Sequence, residues 1–171
     1  MTSRHRLRVK RLERQAEGYL ELDMPNQALD VLARLGDDSQ LGSHGLYLSG
    51  EALRALERYE ESLVYFDRAV QLAPGNIRVW LAMGWCHKRT GRIDLAIEDL
   101  EQARGAEPSE PLVHYNLACY LSLAGEKHRA ISHLSEAISI NPEFRALVDE
   151  EPDFDSLRSD PQFQALTSMI V

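Results

Sequence analysis

The chain has 171 residues, the usual length of one domain, and its 44% hydrophobic and 27% charged content supports a packed core and argues against disorder. A net charge of −8 argues against nucleic-acid or anionic-membrane binding by the whole surface. No run approaches the ~18–20 apolar residues of a membrane span, no apolar segment follows Met1, so no secretory signal is expected, and Cys86 and Cys119 form no C-x-x-C pair, which suits a reducing cytoplasm.

The charge is unevenly placed. Arg4, Arg6, Arg8, Lys10, Arg11 and Arg14 face only Glu13 within residues 1–14, a stretch read as the solvated start of a first helix and not as an arm for RNA or lipid. Residues 1–8 are expected to extend or fray from that helix. Leu12, Ala16 and Tyr19 give it an apolar stripe, Asp23-Met24-Pro25-Asn26 turns the chain, and Ala28, Leu29 and Leu32 pattern a second helix. The closing stretch, Gly36 to Gly42, reads as a loose connection without proline.

From residue 43 the pattern repeats every 34 residues. The repeats span 43–76, 77–110 and 111–144, and 9–42 is a worn first copy. Small residues recur at Gly50, Gly84 and Ala118, and again at Ser62, Ala96 and Ala130, with large apolar Phe66, Leu100 and Leu134 beside them. Ala69, Ala103 and Ala137 set the docking of the next repeat. Pro74, Pro108 and Pro142 stop the second helix of each pair, because proline disfavours helical backbone in the residue before it. After Pro142 comes an acidic run, 149–155, read as part of a solvated cap over the open end of the last repeat. Asp160 as N-cap and Pro161 at the first helical position then start a last helix, reaching about Met169 and burying Phe163 and Leu166.

These columns, from Trp80, Gly84 and His87 through Ala96, Leu100, Ala103 and Pro108, resemble the tetratricopeptide repeat. Gln15, Leu35 and Gln40 in the first copy, and His114 in the Trp column of the fourth, depart from it. The resemblance implies an all-α fold: an α-solenoid, a right-handed superhelix of four helix-turn-helix repeats in a single domain, 1–171, with a C-terminal capping helix in 145–171 and the first helices lining a concave groove. The acidic ending resembles that of bacterial members of the family, which implies a bacterial source.

Catalytic spacing is missing. The six histidines include no H-E-x-x-H and no zinc-ligand cluster, the phosphate-binding glycine motifs are absent, and the acidic run lacks the alternation and glycine of a calcium loop. The expectation is a non-enzymatic protein with no catalytic residue, cofactor or metal, in which His87 and His114 are packing residues and Cys119 is the last candidate nucleophile.

Applying the repeat offset to the inward positions of the first helices gives three rows: Tyr47, Leu81, Tyr115; Glu51, Trp85, Cys119; and Arg54, Lys88, Ser122. His44, Arg78, Arg89 and Asn116 fall beside them. Aromatic and basic side chains in an acidic protein suit a segment with acidic and apolar residues, so the expected function is to hold a peptide or helix of a partner protein in the groove of repeats two to four. The alternative for Trp85 and Tyr115 is plain packing between repeats. The carboxylate clamp by which some family members bind heat-shock chaperones is not expected, because its places hold Glu13, Glu17, Leu48, Arg78 and Ala82 in one window and Tyr47, Glu51, Ala82, Leu112 and Asn116 in the next. An alternative function is a small chaperone for a secreted or assembling apolar protein, a class this chain resembles in length and acidity. A cytoplasmic location and no binding of nucleic acid or membrane complete the expectation; the sequence leaves the oligomeric state open, with a monomer favoured.

Overall fold

A computed structural model describes residues 3–36 and 40–168, all helical or connecting, with no strand among the described residues. Four helix pairs follow one another: α1 (Ser3–Glu21) with α2 (Pro25–Ala33), α3 (Ser43–Ala55) with α4 (Tyr59–Leu72), α5 (Ile77–Arg89) with α6 (Ile93–Ala106), and α7 (Pro111–Leu123) with α8 (Lys127–Ile140). A short α9 (Phe144–Val148), a 3-10 segment (Pro152–Leu157) and α10 (Pro161–Thr167) complete the chain. Asp37 to Ser39 of the expected loose connection and Met169, the expected helix end, lie outside the described residues. The basic start extends α1 from Ser3 onward, and Arg8 donates from Nη2 to the Arg34 carbonyl at 2.6 Å.

Each pair turns through one left-handed residue. Asp23, Glu57, Gly91 and Gly125 stand one repeat apart with φ of 55°, 59°, 76° and 79°. In each turn the next backbone N–H reaches five residues back, as Arg58 does to Leu53 at 2.9 Å and Glu126 does to Leu121 at 2.9 Å, so the last carbonyls of the first helix are satisfied. Only glycine takes this conformation without side-chain strain. Glu57→Gly is therefore expected to stabilise the chain by up to about 1 kcal/mol, read as a shift in urea midpoint at unchanged slope; a destabilisation would show that the Glu57 side chain makes a compensating contact.

The second helices end in register at Leu72, Ala106 and Ile140, two residues before Pro74, Pro108 and Pro142. Inside the pairs, Phe66, Leu100 and Leu134 are fully buried opposite the small columns. Ser62 satisfies its buried hydroxyl by donating to the Gly50 carbonyl at 2.7 Å, so the small polar residue costs little there.

His114 replaces a tryptophan by keeping its hydrogen bond. Trp80 donates from Nε1 to the Pro74 carbonyl at 2.8 Å, and one repeat later His114 Nε2 donates to the Pro108 carbonyl at 2.8 Å. That fixes the His114 tautomer and leaves its Nδ1 to accept from His133 Nδ1–H at 3.0 Å. Burial, and then the neighbouring His114, hold His133 below the ordinary imidazole range. As pH falls through about 6.5 the unfolded chain binds a proton that the folded one refuses, so this contribution is full above that value and lost below it. Glu13 and Asp99, raised by burial, act with the opposite sign in the carboxylate range. Between about pH 7.5 and 5.5 the melting temperature should fall less in His133→Gln than in wild type; equal slopes would contradict the coupling.

Candidate functional site

The concave face is built from the first helices α1, α3, α5 and α7, and its two ends differ. Tyr47, Glu51 and Arg54 of α3, together with Arg78, Leu81, Ala82 and Trp85 of α5, line an open cleft of about 260 Å³. Glu17, Leu20 and Glu21 of α1 extend it into a second cleft of about 300 Å³ that shares Tyr47, Glu51, Arg54 and Arg78. Thus six of the expected groove residues meet around one space. His44 lies beside it, its ring stacked 6.5 Å from that of Tyr47.

Cations lie over rings throughout this cleft. The Arg54 guanidinium stacks 4.9 Å from the Trp85 ring and forms a two-point bond to Glu51 at 2.8 and 2.9 Å. Arg78 lies 5.0 Å over Tyr47 and its Nη2 donates to the Tyr47 hydroxyl at 3.4 Å. Arg89, exposed and outside the lining of both clefts, lies 5.5 Å over Trp85 and 5.9 Å over Tyr59. Stacking of this kind holds a guanidinium in place while leaving its N–H edge free to bond. Burial, and then Glu51, raise the Tyr47 phenol above its ordinary range, and the Glu51 bond raises Arg54, so Tyr47 stays neutral and Arg54 charged. Among the described residues, neither Arg78 nor Arg89 forms an ion pair with a carboxylate. Trp85 also packs edge-on against Tyr59, with ring centroids 5.4 Å apart, so it combines inter-helix packing with half-exposure in the cleft.

The other end of the expected groove is filled by the chain itself. The 3-10 segment crosses α7, where Asp153 takes the ammonium of Lys88 and its carbonyl accepts from Ser122 Oγ at 2.7 Å. Phe154 stands edge-on to Tyr115 at 5.8 Å, and Phe144 packs on the same ring at 5.0 Å. Tyr115 and Cys119 are therefore buried, at 6% and 2% exposure, and do not face an open groove. Asn116, on the same helix, is half-buried. The acidic run is solvated in part: Asp149, Glu150 and Asp155 are exposed, whereas Asp153 is buried, where Lys88 neutralises it and the backbone folds back over the last repeat. Ligand atoms of Cys119, Glu151 and Asp153 lie within 4.8 Å of one another, but the Lys88 ammonium already supplies the positive charge there. Burial raises the Cys119 thiol strongly and pushes Cys86 up to about 11, so neither is an activated nucleophile.

His87 pairs with the buried Asp99 at 2.6 Å, the packing role expected of it. Glu17 stands at a groove place, as its clamp position implied, whereas Leu20 and Glu21 were not anticipated there. The repeat offset carries Glu51 to Glu17 and Arg54 to Leu20, so the rows extend one copy further back than the worn first repeat suggested.

Family models described as tetratricopeptide repeat match residues 14–77, 53–118 and 112–144. Superkiller protein 3 of Schizosaccharomyces pombe is 26% identical over 84 residues, 49% of this chain, and the matched region spans only 6% of that protein. A crystal form of MamA is similar over 97% of this chain and 91% of its own, at 17% identity and a TM-score of 0.73. MamA from Desulfovibrio magneticus is similar over 93% of both chains, at 20% identity and a TM-score of 0.71. YrrB, a TPR protein with an unusual peptide-binding site, is 22% identical over 79% of this chain and 70% of its own, with a TM-score of 0.69.

Proposed function

The chain belongs to the tetratricopeptide repeat family, a class of protein-interaction modules, and from that premise we propose that it is a non-enzymatic adaptor holding a segment of a partner protein in the cleft between α1, α3 and α5. The observation that carries this reading is the arginine-on-aromatic lining of that cleft, with Arg78 stacked on Tyr47 and without a carboxylate partner among the described residues. Desolvated aromatic and arginine side chains dominate binding energy where they form a central cluster. The raised thiols support the non-enzymatic part of the reading, and two free buried cysteines fit a reducing compartment such as the cytoplasm. No helix among the described residues is long and apolar enough to cross a membrane.

A random peptide library panned against the full chain tests the proposal. Enriched peptides should lose affinity about 30-fold or more in an Arg78→Ala, Trp85→Ala double variant whose melting curve stays cooperative, since one hot spot is worth about 2 kcal/mol. Peptides that bind both proteins equally would move the binding surface elsewhere.

A further inference from the structure

The groove already holds one ligand-like segment. At its α7 end an acidic residue and the aromatic residue after it, Asp153 and Phe154, dock onto a groove cation, a groove hydroxyl and a groove ring: Lys88, Ser122 and Tyr115. The repeat translates that seat. One repeat back, Arg54 stands in the place of Lys88 and Leu81 in that of Tyr115, while the place of Ser122 is held by Lys88, already paired with Asp153; Trp85, in the place of Cys119, adds a ring, and Arg54, Leu81 and Trp85 line the open cleft. The same kinds of groups therefore recur there, a cation beside an apolar or aromatic surface, with no segment of the described chain lying over them.

Charge narrows what can fill the space. Glu51 holds the Arg54 guanidinium with both oxygens, so the cation left for an incoming carboxylate is Arg78, which shares the cleft and has no acid of its own among the described residues. Glu17 and Glu21 close the far end of the groove and would repel a second acid placed there. The lining is thus basic toward α5, acidic toward α1 and aromatic between.

We propose that the open cleft takes an extended partner segment in which an acidic residue is followed directly by an aromatic one, the pair that the chain's own Asp153-Phe154 presents to the groove, with the acid shifted from the occupied Arg54 to its cleft neighbour Arg78. The acid pairs with Arg78, the ring lies against Leu81 and Trp85, and the end of the segment toward α1 carries no acid. This inference rests on the groove reading above and deepens it by naming the chemistry of the ligand.

The test uses a capped form of the 151–157 sequence with its two flanking acids neutralised, acetyl-Gln-Pro-Asp-Phe-Asn-Ser-Leu-amide, added in trans to the full chain labelled with ¹⁵N. The two indole N–H signals are internal reporters: Trp85 lines the cleft, whereas Trp80 is tied to the Pro74 carbonyl. The peptide should move the Trp85 signal and leave that of Trp80 in place. Replacing the aspartate before the phenylalanine by asparagine, or the phenylalanine by alanine, should weaken binding at least about tenfold, as should Arg78→Ala in the protein. Equal binding of the peptide with that aspartate replaced overturns the proposal. So do shifts confined to the Ser122 and Phe154 amides, which would mean that the peptide only replaces the chain's own segment. If panned peptides of another chemistry bind the cleft and this one does not, the ligand class is wrong while the groove reading stands.

Discussion

Replacing Phe154 with alanine should cost about 3–5 kcal/mol of stability in urea unfolding. Phe154 is fully buried and joins three parts of the chain: its ring meets Tyr115 of α7 edge-on at 5.8 Å and Phe163 of α10 at 5.7 Å. Removing it leaves a cavity at the end of the stack, where Val148 and Leu157 are also fully buried. A solenoid must cover the apolar face of its last repeat, and here that cover hangs on one ring. The variant should also free the 3-10 segment from α7. Cys119, now 2% exposed beneath it, should then react with a thiol reagent well before global unfolding, while Cys86 between the second and third repeats stays protected. A loss below about 1 kcal/mol, or equal exposure of both thiols, would show that the segment is not what holds the last repeat closed.

The second large effect separates two glycines that occupy the same column. A Cβ on Gly50 would overlap the ring of Phe66, which is fully buried and has nowhere to move. Gly50→Ala should therefore destabilise by about 1–3 kcal/mol, as overpacking does. At Gly84 an added Cβ would lie 3.3 Å from the Ala96 carbonyl and 3.4 Å from Leu100, a contact that a few tenths of an ångström relieve. Helix propensity favours alanine by about 1 kcal/mol, so Gly84→Ala should be neutral or slightly stabilising, and the fourth repeat already carries Ala118 in that place. Comparable losses at both positions would mean that the column is set by helix spacing and not by the opposing side chain.

The fold was legible because repetition makes each residue testify several times. Gly91 and Gly125 mark a turn that Asp23 and Glu57 also make with positive φ, and Pro74, Pro108 and Pro142 follow helix ends that fall one repeat apart. The open half of the groove was legible for the same reason: Tyr47, Arg54, Arg78, Leu81 and Trp85 come together as the offset predicts. What the offset could not show is where the chain goes after it leaves the repeat. The acidic run has the composition of a solvated loop, and only the fold brings Asp153 to Lys88, a residue 65 positions away. Tyr115, Cys119 and Ser122 share periodic positions with residues that line the open cleft, yet the returning segment covers them. At the other end, the worn first repeat hid Leu20 and Glu21, which with Glu17 form the acidic end of the cleft.

Hydrogen exchange on the full chain, with and without a saturating groove-dependent peptide from the panned library, tests the division of the concave face most directly. Binding should slow exchange on α1, α3 and α5 and leave 152–157 and α7 as protected as before. Faster exchange at 152–157 together with new protection on α7 would contradict the account, because the ligand would then occupy the seat that the chain's own segment fills.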